Sequence, residues 1–330
     1  MIDDGPIGSD VGPLVSILCM SYNHERFIRK ALDGFLHQQI SFPIEIVVHD
    51  DASTDRSAEI IRGYQDRHPE VIRGIYQVQN QKKLGGGRVT RTLYTAAKGR
   101  YIALCEGDDH WIDPHKLQRQ IDVLEADPQA IACFTDAYNE TNGERTPYMD
   151  AGYATSPKSP TIGQKEIITG QGIPTCTFVF RNMDMEPIYA ALRTAPVGDT
   201  LLFAYLSNFG HFIYQPERTG VRVVHPGGAY SMRSAVHKLD IHLRTLPFMD
   251  QLSDHKYSDV IAARHRKALD LAWHEAVHTN NRELARYVFP LIKRDRGAFG
   301  WNATTTLRNF FRAYWPLPER IYSRLSGASA

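Results

Sequence analysis

Residues 14–55 read LVSILCMSYNHERFIRKALDGFLHQQISFPIEIVVHDDASTD. The apolar run at 14–20 is short enough for a buried strand and ends in Ser21-Tyr22-Asn23. Phe27, Ile28, Ala31, Leu32, Phe35 and Leu36 then recur at helical spacing. A second apolar run at 44–50 ends in Asp50-Asp51, and Ala58, Ile61 and Tyr64 mark a second helix with Asp55 as candidate N-cap. The same unit returns downstream. YIALC at 101–105 predicts a third buried strand, followed by Glu106-Gly107-Asp108-Asp109. A helix then follows, with Asp113 as N-cap, Pro114 in its first position and Leu117, Ile121 and Leu124 on one face. IACFT at 131–135 and CTFVF at 176–180 read as later strands.

Alternation of strand and helix gives an α/β class with a mostly parallel sheet flanked by helices. In such sheets ligands bind beyond the carboxyl ends of the strands. The stretch 139–175 is rich in Gly, Pro, Ser and Thr and predicts a loop or acceptor-side flap. After about residue 235 the pattern becomes helical, with Leu284, Tyr287, Val288, Leu291 and Ile292 on one stripe. The expected division is a domain over 1–235, with halves 12–135 and 136–235, and a helical region over 236–330.

The 330 residues carry 42% hydrophobic and 23% charged side chains and a net charge of +1, an ordinary globular balance with no sign of a nucleic-acid partner. No apolar run approaches the roughly 18–20 residues that cross a bilayer. The start, MIDDGPIGSD, lacks the basic and apolar segments of a signal peptide, so a cytoplasmic location is expected. The four cysteines stand apart in apolar segments, as buried reduced thiols would.

The chemistry lies at the strand ends. The first strand is not followed by the glycines that let a dinucleotide pyrophosphate approach the backbone, which argues against a nicotinamide site. The second and third strands instead end in Asp50-Asp51 and Glu106-Gly107-Asp108-Asp109. Crowded carboxylates are costly unless a cation or hydrogen-bond donors meet them. Hard divalent cations, Mg²⁺ or Mn²⁺, take carboxylate oxygens and share their coordination with substrate phosphates. Helix capping alone is the competing explanation for each cluster.

SILCMSYNHERFIRKAL, IEIVVHDDASTD and GRYIALCEGDDHWIDPHKLQRQ, in this order and spacing, resemble the nucleotide-binding half of family-two inverting glycosyltransferases with the GT-A, Rossmann-like fold. The resemblance covers roughly residues 12–235. It implies a metal-dependent transfer of a single sugar from a nucleoside-diphosphate sugar, UDP foremost, to a hydroxyl of a glycan or lipid-linked acceptor in polysaccharide synthesis. It places Tyr22, with Asn23 beside it, against the nucleobase, and Asp51 at the base edge. Asp108 falls near the donor ribose or metal, Asp109 on the metal, and His225, before Pro226-Gly227-Gly228, near metal and diphosphate. Glu106 stands where the family more often has Asp. In the basic, Gly-rich NQKKLGGGRVTRT at 80–92, Arg88 or Arg91 would reach base or phosphates, Arg91 being the better match. Asp199, in VGDTLLFAYLSNFG, matches the general base, and a helix N-cap is its alternative role. Gln215-Pro216-Glu217-Arg218-Thr219 lacks the tryptophan of processive members.

The tail WNATTTLRNFFRAYWPLPERIYSRL interleaves Arg308, Arg312, Arg320 and Arg324 with Phe310, Phe311, Tyr314 and Trp315. That mixture suits either peripheral contact of 300–325 with an anionic membrane or a helix docked on the domain or on a second subunit of a homo-oligomer. Two other functions share a layered sheet and acidic edge, a sugar nucleotidyltransferase and a non-catalytic nucleotide-sugar-binding protein. The first normally opens with a glycine-rich loop, where this chain has Ser21-Tyr22-Asn23-His24.

Overall fold

The computed structural model describes residues 12–149, 157, 160–196, 198–228, 233–294 and 296–314. Two compact units emerge, dividing between Pro226 and Gly227. The first is built on strands β1 (Val15–Ser21), β2 (Ile44–Asp50), β3 (Ile72–Tyr76) and β4 (Tyr101–Leu104). Helices α1 (Ile28–Leu36), α2 (Ser57–Arg67), α3 (Gln81–Leu84) and α4 (Arg88–Ala96) connect them. The two-residue β5 (His110–Trp111), α5 (Lys116–Ala126), the long β6 (Ala130–Thr141), β7 (Glu144–Pro147), β8 (Thr161–Ile162) and α6 (Gln164–Thr169) follow. A 3-10 turn at Thr175–Thr177, β9 (Val179–Arg181), α7 (Glu186–Leu192), α8 (Asp199–Leu206) and β10 (His211–Val224) complete the unit.

One ten-stranded sheet runs in the order β3, β2, β1, β4, β9, β6, β10, β5, with β7 on β6 and β8 on β10. The first four strands are parallel, Val15 pairing with Ile44 and with Tyr101, and Ile46 with Ile72. Their carboxyl ends therefore share one edge. Beyond β4 the sheet is mixed, because β9 enters antiparallel between β4 and β6 while β6 and β10 run parallel. Ile17, Cys19, Ile46 and Val48 are fully buried under α1, whose Ile28, Ala31, Leu32 and Phe35 are equally so. All four cysteines are buried and free.

Local details differ from the sequence pattern in informative ways. The 139–175 stretch is largely ordered. β6 and β7 form a hairpin over Asn142-Gly143, whose φ values of 52° and 87° are those of the two-residue turn that matches strand twist. Residues 150–156 and 158–159 lie outside the described residues. α2 starts at Ser57, and Asp55 Oδ1 accepts from the Ser57 backbone N–H at 2.9 Å and from its hydroxyl at 2.6 Å. α5 starts at Lys116, with Asp113 accepting from the His115 N–H at 2.9 Å. Asp55 thus acts two residues, and Asp113 three residues, before the first residue of the helix that each precedes. CTFVF splits between the 3-10 turn and β9.

The second unit contains α9 (Ala235–Leu252), α10 (Ser258–His278), α11 (Arg282–Arg294) and α12 (Ala303–Tyr314). Trp273, Leu284, Val288, Phe289 and Ile292 are its buried centre. Trp301 meets Trp273 with ring centroids 5.2 Å apart, and Phe310 and Tyr314 meet Phe289 at 5.9 and 5.8 Å. These tail aromatics pack on their own unit; 315–325 of the proposed membrane segment lies outside the described residues. No helix among the described residues is long and apolar enough to cross a membrane.

Two helical glycines give opposite expectations. A Cβ on Gly34 in α1 would lie 2.8 Å from the backbone oxygen of Trp111, whereas one on Gly63 in α2 meets only the far end of Arg67 at 4.0 Å. Gly63→Ala should stabilise by about 0.5–1 kcal/mol through helix propensity. Gly34→Ala should destabilise by about 1–3 kcal/mol despite the same propensity gain, as urea titration of the two variants would show.

Candidate active site

The parallel register lines up the segments after β1, β2 and β4. Tyr22 leaves β1 half-buried. Asn23 adopts a left-handed backbone, φ 57°, and its side-chain oxygen accepts from the Thr54 N–H at 2.8 Å, while its own N–H donates to Ser53 Oγ at 2.9 Å. Asn23 thereby fastens the loop after β1 to the loop after β2. Asp51 is buried, with Oδ1 accepting from the Gln81 N–H at 2.6 Å and Oδ2 from the Lys82 N–H at 3.0 Å. It caps α3 from across the edge. Asn80 strengthens the link by donating to the Asp51 carbonyl at 3.1 Å.

After β4 the chain turns sharply through Glu106-Gly107-Asp108-Asp109. The Gly107 N–H donates to the Met20 carbonyl at 2.8 Å, and a Cβ there would sit 2.9 Å from Ile28 and 3.1 Å from His24. A larger residue there would have to displace the tip of Ile28 and crowd His24. β10 returns alongside through its pairing with β5, and it supplies the partners of both aspartates. Asp109 Oδ1 accepts from the Val223 N–H at 2.8 Å. His225 Nε2 donates to Asp108 Oδ2 at 3.1 Å, and His24 Nε2 lies 3.7 Å from the same oxygen. Phe27 backs His225 with ring centroids 4.5 Å apart.

Electrostatics at this edge are unequal. Burial, then the charges of Asp108 and Glu106, push the Asp109 carboxyl well above the usual carboxylate range. Burial, then Asp108 and Asp199, push Glu106 up to about 7. Burial also works against ionisation of Asp108, but the His225 hydrogen bond and nearby His24 outweigh it and hold that carboxyl low. Asp199 opens α8, where its Oδ1 accepts from the Thr200 N–H at 2.7 Å and its Oδ2 from Thr175 Oγ1 at 3.4 Å. Its effect on Glu106 places it beside the same edge.

Residues 16–187, over half of the chain, match the signature described as glycosyl transferase family 2. The chain belongs to this family. Among similar proteins, an uncharacterised protein of Mycobacterium tuberculosis is 44% identical over 120 residues, 36% of this chain and 34% of the relative. The uncharacterised glycosyltransferase EpsJ of Bacillus subtilis is 40% identical over 135 residues, 41% of this chain and 37% of the relative. The chain thus matches little more than a third of the length of these curated relatives. The structure of S. aureus TarS 1-349 in complex with UDP-GlcNAc aligns with a TM-score of 0.61 at 16% identity, over 94% of this chain and 83% of that one. The mannosyltransferase PcManGT from Pyrobaculum calidifontis, in complex with GDP-Man and Mn²⁺, aligns at 0.51 with 16% identity, over 95% and 86%. At such identities the likeness is one of fold.

For this family 2 chain the structure gathers Asp108, Asp109, His225 and Glu106, with Asp199 nearby. Arg91 stands on α4, 3.8 Å from Glu186 and with its guanidinium 5.5 Å from the Tyr189 ring centroid. Two residues were missed by the sequence reading. His24 was one histidine among fourteen, and only the Gly107 turn brings Asp108 to it. Lys82, pinned by Asp51, lies close enough for its charge to oppose those of Glu106 on one side and add to those around His24 on the other. Its only sequence signal was the basic Gly-rich loop.

Because the folded Asp109 carboxyl resists ionisation, stability present below the ordinary carboxylate pKa is lost as pH rises through its raised value. Metal-free Asp109→Asn, which keeps the Val223 bond, should therefore melt above the parent at neutral pH and equal it in acid. Roughly 2–4 °C is expected per kcal/mol in scanning calorimetry. Asp51→Ala should leave the core intact yet speed amide exchange at Gln81 and Lys82 at least tenfold, since two charge-assisted bonds are lost.

Proposed function

We propose that the chain is a metal-dependent, inverting transferase that moves one sugar from a nucleoside diphosphate, UDP first, to an acceptor hydroxyl in glycan or cell-surface polysaccharide synthesis. The observation that carries it is the pairing of an ionised Asp108 with His225, beside buried Asp109, at the carboxyl edge of a family 2 sheet. Neighbouring folds bound to UDP-GlcNAc and to GDP-Man with Mn²⁺ support the donor class.

A divalent cation fits this edge. Among the described residues no group of three or more His, Cys, Asp or Glu side chains is arranged to hold a metal by itself. Mg²⁺ and Mn²⁺ sites commonly use one or two protein ligands and complete their shell with phosphate oxygens and water. Asp108 and His225 stand together at this edge, with His225 Nε2 3.1 Å from Asp108 Oδ2, and a carboxylate and an imidazole are donors that such an ion would accept. Asp108, Asp109 and His225 would hold the ion, which when bound neutralises charge on the departing diphosphate. Tyr22 lies along the base, and Asp51 acts by positioning: it holds the Asn80–Lys82 segment against the nucleotide and sends Lys82 toward the phosphates. Asp199 takes the proton of the acceptor hydroxyl as oxygen attacks the anomeric carbon from the face opposite the diphosphate, so configuration inverts.

Incubation with UDP-, GDP- and dTDP-sugars, with Mn²⁺ or chelator, tests this reading through donor hydrolysis and transfer. One nucleotide sugar should be consumed in a metal-dependent manner. Asp199→Asn should retain donor affinity and melting temperature while turnover falls about 10²- to 10⁴-fold. Consumption of no donor, or turnover of Asp199→Asn at the parental rate, would overturn it.

A further inference from the structure

The charge of the chain is unevenly spread. Residues 282–330 hold nine lysines and arginines against three acids, whereas the whole chain carries only +1. An excess confined to one segment marks a surface for an anionic partner. In the second unit, Arg282, Arg286 and Lys293 recur on α11 at i, i+4 and i+11, which sets them on one side of the helix beside Phe289. All three are exposed. Arg282 and Lys293 have no ion-pair or hydrogen-bond partner among the described residues, while Arg286 Nε donates to the Ala313 carbonyl at 3.2 Å. That bond lays α12 along the basic stripe.

α12 adds aromatic rings to this surface. Phe310 and Tyr314 stack with ring centroids 5.1 Å apart, and both also meet Phe289. Each nevertheless remains 40% exposed, so the pair is anchored on its inner side and open on its outer side. Anchored aromatics bordered by free cations complement the headgroup region of an anionic bilayer, where the acyl boundary accepts the rings and lipid phosphates accept guanidinium and ammonium groups. A second copy of the chain fits less well. An isologous contact through this surface would bring like charges together.

We propose that the α11–α12 face docks on an anionic lipid surface, with Phe310 and Tyr314 entering the headgroup region and Arg282, Arg286 and Lys293 meeting lipid phosphates. The full chain is sedimented with vesicles of phosphatidylcholine alone and of an equimolar mixture with phosphatidylglycerol. It should pellet with the mixed vesicles at low ionic strength, leave them as salt rises well beyond about 0.1 M, and stay in the supernatant with phosphatidylcholine. Arg282→Gln/Lys293→Gln changes two exposed side chains, so it should bind the mixed vesicles about tenfold or more weakly with an unchanged melting temperature. Phe310→Ser should weaken binding as well. Phe310→Trp should retain it, and its tryptophan emission should move to shorter wavelength when mixed vesicles are added. Should Phe310→Ser fail to fold, the charge variant and Phe310→Trp carry the test. Failure of the parent to pellet with mixed vesicles, equal binding to both compositions, or parental affinity of Arg282→Gln/Lys293→Gln would each overturn the proposal. So would release from the vesicles by polyuridylate at matched ionic strength, or a dimer that Arg282→Gln/Lys293→Gln dissolves. Vesicle binding is read without donor or acceptor, so its outcome is distinct from that of sugar transfer.

Discussion

Carboxylates crowded at one sheet edge impose the constraint from which the rest of the first unit follows. Parallel pairing of β3, β2, β1 and β4 brings every strand's carboxyl end to the same side, and the sequence places acidic residues at two of those ends. Glu106, Asp108 and Asp109 fall within four residues in a partly buried turn, where mutual repulsion and desolvation act together. The protein relieves this unevenly. Asp108 is held ionised between two imidazoles, Asp109 is anchored by a single backbone N–H, and Glu106 is left with a raised affinity for protons. At this one turn, then, ionisation is favoured at Asp108 and opposed at Glu106 and Asp109.

Supporting that edge requires connections from distant parts of the chain. β10 shifts its register on β6 between Gln215 and Gly220 and there pairs with β5. The return of β10 supplies both the Val223 N–H and His225. On the other side Asp51 holds the segment that contains Lys82, and beyond it Gly85, Gly86 and Gly87 all adopt left-handed φ values of 64–70°. These three glycines let the chain reverse into α4 within a few residues. Asp51 is thus a fixed point between the acidic edge and α4.

The two halves of the first unit carry different kinds of information. Family resemblance is concentrated over residues 16–187, and the curated relatives match only about a third of their own lengths. Fold similarity extends further, over more than nine tenths of the chain at 16% identity. The sheet is thus retained where side chains have diverged, as expected when function is set by loops at a common edge.

Strand and helix periodicity, together with the position of each acidic group after its strand, were legible in residues 14–135, because apolar spacing is local and strand ends are marked by a change in polarity. Asp108, Asp109 and His225 could be named by resemblance, and Asn142-Gly143 was a readable hairpin turn inside a stretch expected to be loop. Resemblance puts Asp51 at the base edge and Arg91 at base or phosphates; tertiary structure adds that both oxygens of the first accept from the backbone of Gln81 and Lys82 and that the second stands 3.8 Å from Glu186. His24 became a neighbour of Asp108 through the glycine turn at 107, and Asp199 a neighbour of Glu106 across almost a hundred residues. Local pattern determines which elements form and which side chains stand at their ends; contacts between those ends depend on sheet order, bulges and loop reversals, and no local pattern encodes these.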